Sequence, residues 1–131
     1  MRLVVWLALL LLPLCAKAQP PLQFRHLGLS DGLSSSVVTA IGSDSKGFVW
    51  FGSLDAVDRY DGARVRSFAL GSGVEDSYTF SLAGTSDGTV WAGGAGGLWR
   101  RLPRAADFRR VRLGSLADMS VRALEAGEET L

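Results

Sequence analysis

The residues of this chain that could do chemistry are mainly carboxylates and hydroxyls placed near glycines. Asp44, Asp61 and Asp87 each stand one to three residues before a glycine. Such aspartates could bind calcium, but none belongs to the regularly spaced series of oxygen ligands that a calcium loop requires. Aspartate side chains also cap turns by accepting hydrogen bonds from the backbone. We therefore expect these three residues to stabilise turns.

Nucleophilic and acid–base chemistry has little support in the sequence. His26 is the only histidine, so a histidine-pair metal site is excluded, and an ordinary strand-edge position is expected for it. Residues 34–36 are three serines in a polar loop, without the glycine-flanked turn that activates a serine. The single cysteine, Cys15, lies in an N-terminal segment that we expect to be removed. We predict no catalytic, cofactor-binding or metal-binding residues and no cofactor.

Tryptophans and arginines are the remaining candidates for ligand binding. Trp50 and Trp91 could stack on a ligand, but they occupy equivalent positions of a repeat, which favours packing in the core. A run of arginines near the C-terminal end could bind an anionic ligand or an acidic polysaccharide. An exposed face of an outer strand is the preferred interpretation, because charges commonly protect strand edges. The cluster comprises Arg100, Arg101, Arg104, Arg109, Arg110 and Arg112.

The N-terminal segment has the features of a secretory signal peptide. Arg2 precedes an apolar run at 3–14, interrupted by Pro13, and small residues then precede the expected cleavage site between Ala18 and Gln19. An uncleaved anchor is disfavoured, because a membrane-spanning helix needs about 20 apolar residues. This pattern predicts an exported, periplasmic protein.

An internal repeat organises the rest of the 131-residue chain. Two segments align at a constant offset of 41 residues. A repeat of about 40–45 residues is typical of a β-propeller blade with four short strands. We therefore predict an all-β fold: an incomplete β-propeller of two four-stranded blades and the start of a third, after an N-terminal signal helix. The repeated structural positions are Gly47, Trp50 and Gly52 in the first repeat and Gly88, Trp91 and Gly93 in the second.

Alternation and turn residues place the strands of the first repeat at 37–43, 48–53, 57–60 and 63–68. Asp61 and Gly62 form the sharpest turn signal, which predicts a type I′ hairpin with positive φ at both residues.

In the second repeat, residues 86–88 are expected to form a turn, and 93–97 a flexible glycine-rich link into a strand at 98–101. An outer strand is predicted at 108–113, where apolar residues alternate with arginine.

The same pattern gives the domain boundaries. We predict a leading outer strand at 24–27 that completes the last blade of a closed ring. The third repeat begins at Val121 and is cut off in mid-blade; a closed propeller needs about four to eight blades. The predicted segments are a signal peptide at 1–18, the leading strand and loop at 19–36, blade 1 at 37–70, blade 2 at 71–113 and the start of blade 3 at 114–131.

Three segments together resemble the opening of the two-component regulator propeller family, namely 29–38, 47–53 and 59–62. The resemblance implies a periplasmic sensor propeller, with a membrane helix and a cytoplasmic histidine kinase or diguanylate cyclase further along the parent protein. Ala56 stands where the family has glycine. If that position needs positive φ, Ala56 strains the turn by about 1 kcal/mol.

Two functions follow as hypotheses. The first is a non-catalytic sensor module for signal transduction, with an unidentified small-molecule or carbohydrate ligand and with downstream blades and an output domain as partners. The alternative is a secreted β-propeller that acts on or binds carbohydrate, which the fold does not exclude. The net charge of +1 gives no support for nucleic-acid binding.

Overall fold

The computed structural model describes residues 22–71, 78–114 and 119–127. The predicted signal helix and the cleavage site between Ala18 and Gln19 lie outside these ranges. Within them, a short 3-10 helix at Leu29–Asp31 precedes the strands, and no helix is long and apolar enough to cross a membrane. The strands are β1 Val38–Ser43, β2 Val49–Ser53, β3 Val57–Tyr60, β4 Val65–Phe68, β5 Thr79–Gly84, β6 Val90–Gly94, β7 Gly97–Arg101 and β8 Arg109–Val111.

The eight strands form two four-stranded antiparallel sheets. Sheet 1 has the order β1-β2-β3-β4 and sheet 2 the order β5-β6-β7-β8, so each strand pairs with its neighbour in sequence. The 41-residue offset extends to the strand register. Sheet 1 has an irregularity between Val38 and Ala40, and sheet 2 has one between Thr79 and Ser81. The prediction of two four-stranded all-β units is therefore confirmed.

The first turn of each sheet is closed by a side chain, as expected of aspartates. In sheet 1, one carboxylate oxygen of Asp44 accepts hydrogen bonds from the backbone N–H groups of Lys46 and Phe48. In sheet 2, a threonine occupies the position of Asp44, and Asp87 accepts the hydrogen bonds of the turn instead. Both turns end on a glycine with positive φ, at 80° for Gly47 and 83° for Gly88.

The hairpin between β3 and β4 differs from the predicted type I′ turn. Gly62 has a φ of 97°, but Asp61 has no positive φ. Asp61 instead uses its side chain, whose Oδ1 accepts hydrogen bonds from the N–H groups of Ala63 and Arg64. The aspartate stabilises the turn from its first position, and only the glycine adopts the left-handed conformation.

The predicted flexible link at 93–97 is wrong. Gly94 and Gly97 are paired strand residues on either side of a two-residue hairpin loop. Glycine is needed there because Gly97 has a φ of 116°, and because a Cβ on Gly94 would lie 2.1 Å from the carbonyl oxygen of Tyr78. The glycines therefore permit a tight turn and close sheet packing.

The condition for strain at Ala56 is not met, because this residue has no positive φ. Ser53 stabilises the loop instead: its hydroxyl accepts hydrogen bonds from the N–H groups of Asp55 and Ala56 and donates one to the Ala56 carbonyl. A serine side chain thus does in sheet 1 what a glycine conformation does in sheet 2.

The hydrophobic core lies between the two sheets. Trp50 and Phe68 from sheet 1 meet Phe108, with ring centroids 5.5–6.1 Å apart and mainly edge-to-face orientations. Val90 and Trp99 from sheet 2 complete the contact and are nearly inaccessible to water. Because one face of each sheet packs on the other, the core is an interface between two blades.

The segments before and after the sheets form no strands in the described ranges. Residues 24–27, predicted as a leading outer strand, are unpaired, and Phe24 is 93% exposed. A strand needs a partner, and no strand in the described ranges pairs with this segment. At the other end, Val121 donates a backbone hydrogen bond to the Gly94 carbonyl, so this residue lies beside sheet 2.

Candidate functional site

The repeated tryptophans occupy equivalent strand positions with different surroundings. Trp50 pairs with Arg59 across β2 and β3, and Trp91 pairs with Arg100 across β6 and β7. Trp50 is 1% exposed and donates a hydrogen bond from Nε1 to Asp44 at 3.0 Å. Trp91 is only partly buried. Sheet 2 covers the face that carries Trp50, whereas no sheet in the described ranges covers the corresponding face of sheet 2.

The repeated glycines allow neighbouring chain segments to approach these strands. A Cβ on Gly52 would lie 2.6 Å from a methyl carbon of Thr79, and one on Gly93 would lie 2.7 Å from a methyl carbon of Val121. In both sheets the absence of a side chain on the glycine thus allows the segment that follows the sheet to pack against it. These contacts give the repeated glycines a place in packing between units.

An open cleft of about 290 Å³ lies on the uncovered face of sheet 2. The guanidinium carbon of Arg100 lies 5.6 Å from the Trp91 ring centroid, and Leu102 is 50% exposed. This surface offers an aromatic ring, a cation and hydroxyls. The equivalent surface of sheet 1 is the one that sheet 2 covers. This surface of sheet 2 therefore has the residues expected where a further blade would pack. The lining residues are Thr85, Ser86, Asp87, Thr89, Trp91, Arg100 and Leu102.

The carboxylates of two turns are held in the charged form. The Thr85 hydroxyl, followed by the N–H and hydroxyl of Thr89, lowers the pKa of Asp87 below its ordinary value. The N–H groups of Arg64 and Ala63 lower the pKa of Asp61 in the same way. Both carboxylates are stabilised as acceptors of turn hydrogen bonds, which makes them poor proton donors at neutral pH.

Asp58 is a buried carboxylate that sequence reasoning missed. It is 1% exposed, and its oxygens accept hydrogen bonds from the Ser67 hydroxyl and from both the N–H and the hydroxyl of Ser34. The Ser34 hydroxyl also lies 3.2 Å from that of Ser53. Alternation along β3 places Asp58 on the opposite face of sheet 1 from the core residue Val57, and no sequence signal identifies its partner 24 residues earlier. The network attaches the leading loop to sheet 1.

The arginine cluster is divided among different surfaces, and an exposed strand face describes only part of it. Arg101 is 6% exposed, because the alternation of β7 points it towards sheet 1, where its guanidinium lies over the rings of Trp50 and Phe68. Arg110 lies over Trp99. Arg104, Arg109 and Arg112 are exposed.

The other candidates do not assemble into a reactive site. His26 is exposed and has no structured strand around it, contrary to its expected place at a strand edge. Of the 34–36 serines, Ser34 belongs to the Asp58 network, and Ser35 accepts a hydrogen bond from the backbone of Val37. In the part of the chain that the structure describes, no group of three metal-binding side chains comes together.

Comparison with known proteins supports the interpretation of the repeat. Residues 32–55 match the family model described as two component regulator propeller, which confirms the family resemblance over that segment. No curated protein sequence matches the chain.

A solved structure extends the likeness to about three quarters of the chain. The chain is similar to the extracellular domain of BT3049 from B. thetaiotaomicron, described as a hybrid two component system, with a TM-score of 0.58 and 20% sequence identity. The match covers 74% of this chain and 14% of that chain. At this identity the likeness concerns the fold, and it confirms the prediction of an incomplete β-propeller.

Proposed function

We propose that this chain is part of a sensor propeller outside the cytoplasm, within a bacterial two-component signalling protein. The observation that carries the proposal is the conjunction of the family match at 32–55 with two blade-like sheets packed face to face. The described relative is itself an extracellular domain of such a system. Because the chain spans 14% of that structure, the output and the ligand of the whole protein belong to the proposal.

The proposed module is non-catalytic. The buried carboxylate of Asp58 accepts hydrogen bonds from serines. The carboxylates of Asp61 and Asp87 accept hydrogen bonds from groups in their own turns. A hydrolase needs an acid and a base, or a nucleophile and a base, within reach of one substrate. The side chains here support turns and blade packing instead, which favours a binding or relay role.

The rest of the proposal concerns the parent protein. We propose that residues 1–18 direct export, with cleavage before Gln19, and that further blades, a membrane anchor and a histidine kinase or diguanylate cyclase output follow. The input would be a small-molecule or carbohydrate ligand bound at the propeller. The uncovered face of sheet 2 supports this arrangement, because its Trp91 and Arg100 match the cross-strand pair Trp50 and Arg59, whose face in sheet 1 is covered by sheet 2.

The location is tested by fusing alkaline phosphatase after residue 131 and expressing the fusion in a Gram-negative host. We expect phosphatase activity, because the enzyme requires disulfides that form outside the cytoplasm. A fusion that lacks residues 2–18 serves as the matched control and should be inactive. Equal activity from both fusions, or none from the first, would contradict export by this segment.

The signalling role is tested by the genomic reading frame. We expect it to encode further blades, one membrane helix and a kinase or cyclase domain. A stop codon directly after the last blade would favour the secreted carbohydrate-active or carbohydrate-binding protein. This observation separates the two hypotheses without any assumption about the ligand.

A further inference from the structure

Three arginines from both sheets converge on the aromatic rings of the inter-blade core. Each guanidinium carbon lies within 6.0 Å of the Phe68 ring centroid, at 6.0 Å for Arg59, 4.9 Å for Arg66 and 4.9 Å for Arg101. Arg59 and Arg66 come from β3 and β4, and Arg101 comes from β7 of the other sheet. We call these three residues the inter-blade arginine cluster.

The strand register holds two of these positive charges side by side. Arg59 and Arg66 are direct cross-strand partners, and like charges in such positions repel each other. Packing on the aromatic rings compensates only in part, because a ring attracts the face of a guanidinium and leaves its N–H groups without acceptors.

The carboxylates in the described ranges make no direct ion pair with the cluster. Among the described residues the one salt bridge joins Arg25 to Asp31, outside the cluster. Asp107, followed by Asp44, favours the charged form of Arg101 without pairing with it. However, the oxygens of Asp44 already accept hydrogen bonds from the turn and from Trp50. The cluster therefore retains excess positive charge.

Two N–H groups in the cluster also lack a hydrogen-bond acceptor. The Nε atoms of Arg59 and Arg101 are buried and have no partner among the residues that the structure describes, and the Arg101 side chain as a whole is more than nine-tenths buried. Burial, followed by repulsion from Arg59 and Arg66, lowers the pKa of Arg101 from its ordinary value. An unsatisfied buried donor on a charged side chain is costly, so an acceptor from outside the chain would be bound favourably.

We propose that the inter-blade arginine cluster binds a compact oxyanion group, a sulfate or a carboxylate, either free or carried by an acidic sugar. Arg66 is exposed and presents its guanidinium to solvent, while Arg59 and Arg101 supply the buried donors. An oxyanion matches this arrangement because guanidinium groups donate two parallel hydrogen bonds to it. The site uses both blades and does not depend on the proposed signalling role.

The test is an NMR titration of the full chain, labelled with ¹⁵N in its arginine side chains. Inorganic sulfate is added in one series and sodium glucuronate in another, both at ionic strength held constant with chloride. We expect saturable shifts of the Nε–Hε signals of Arg59 and Arg101, with the Arg101 signal assigned by its loss in Arg101→Lys. The series that saturates at lower concentration identifies the preferred anion.

Two variants test whether the chemical shift changes arise from anion binding at the inter-blade arginine cluster. Arg66→Met removes the exposed charge and keeps a long unbranched side chain beside Phe68, and should raise the half-saturating concentration about tenfold, the effect of losing one charge-assisted hydrogen bond. Arg112→Met removes an equal charge from an exposed position elsewhere and should leave it unchanged. Shifts that do not saturate in either series, or that are the same in Arg66→Met and the unmodified chain, would overturn the proposal.

Discussion

At the scale of single residues, side chains at equivalent positions of the repeat differ in how far they are buried. Trp50 and Trp91 share a strand position, a cross-strand arginine and a following glycine. Only Trp50 is fully enclosed, because sheet 2 lies over its face. The same residue type in the same register therefore contributes differently to stability, according to what covers it.

We expect Trp50→Ala to lower the free energy of unfolding of this chain by about 3–5 kcal/mol, since it removes a buried ring and leaves a cavity. Trp91→Ala is the matched variant and should cost roughly 1–2 kcal/mol, because less surface is removed from contact. Urea unfolding of both variants measures the difference. Equal losses would contradict the assignment of Trp91 to an uncovered face, and we expect them to become equal only where a further blade covers Trp91.

The Asp58 network gives a second prediction at this scale. Asp58→Asn replaces an acceptor oxygen by an N–H group that faces the donors of Ser34 or Ser67. We expect a loss of about 1–3 kcal/mol, the cost of unsatisfied buried polar groups. The backbone N–H of Ser34 should also exchange with deuterium faster.

Asp55→Asn is the control, because Asp55 is exposed on the loop that Ser53 stabilises. It should change neither stability nor the exchange of the Ser34 N–H. Unchanged exchange in Asp58→Asn would show that the leading loop is held by other contacts.

At the scale of strands and turns, the two sheets form equivalent turns. Where the residues at a turn differ, a different nearby residue stabilises it. Asp44 closes the first turn of sheet 1, and Asp87 closes that of sheet 2 from a different position. Ser53 stabilises the second hairpin loop of sheet 1, where sheet 2 uses Gly97. The hydrogen-bonding requirement of the turn is conserved between the sheets, while the group that satisfies it changes.

The turn carboxylates predict the pH dependence of the sheets. Because hydrogen bonds lower the pKa of Asp87 and of Asp61, their contribution to stability is present above the ordinary value of 3.8 and is lost as the pH falls through the lower folded-state pKa. We expect the ¹³C carboxyl shift of Asp87 to titrate below 3.8. Thr85→Val removes the largest cause and should move this titration upwards. No upward movement would contradict the role of the Thr85 hydroxyl.

Contact between the sheets depends on a glycine at the end of β5. A Cβ on Gly84 would lie 2.3 Å from the carbonyl oxygen of Ser43. Since backbone atoms cannot move aside easily, Gly84→Ala should force the sheets apart and cost about 1–3 kcal/mol. Gly127→Ala is the control, because nothing lies within 4 Å of that position. A thermal melt compares the two, and equal midpoints would show that the sheets do not approach as closely as described.

At the scale of the molecule, two sheet faces lie open on opposite sides of the core. The uncovered face of sheet 2 carries Trp91, and the outer face of sheet 1 carries Ile41, which is 67% exposed. In a propeller each face packs on the next blade, and a unit of a repeat array cannot bury its apolar surface alone. The two open faces are therefore expected to fit each other, because the core is formed by the packing of two equivalent faces.

We expect the isolated chain to associate as its concentration rises, because these faces can pack against those of other copies. Size-exclusion chromatography over a dilution series measures the apparent mass. Ile41→Lys should shift association to higher concentration, whereas Leu22→Lys, on an exposed leading segment, should have no effect. A single monomeric mass at every concentration, or equal effects of the two variants, would contradict this account.

The sequence alone was sufficient for the architecture, because a constant 41-residue offset and alternating apolar residues leave few alternatives to blades of four strands. It predicted β3 at Val57–Tyr60 without error, and β1, β2, β4, β7 and β8 to within a few residues. The turns were less determined. Whether Asp61 adopts positive φ or accepts hydrogen bonds depends on the strand register around it, and short sequence signals do not specify that register.

Only the tertiary structure decided which polar and charged residues are buried. Asp58 and Ser34 meet across 24 positions of sequence, and Arg59, Arg66 and Arg101 meet because two sheets pack together. Alternation assigns a residue to a face of its own strand, but the packing of one sheet on another determines what lies opposite that face. The two blades could therefore be predicted from the sequence, whereas the inter-blade arginine cluster could not.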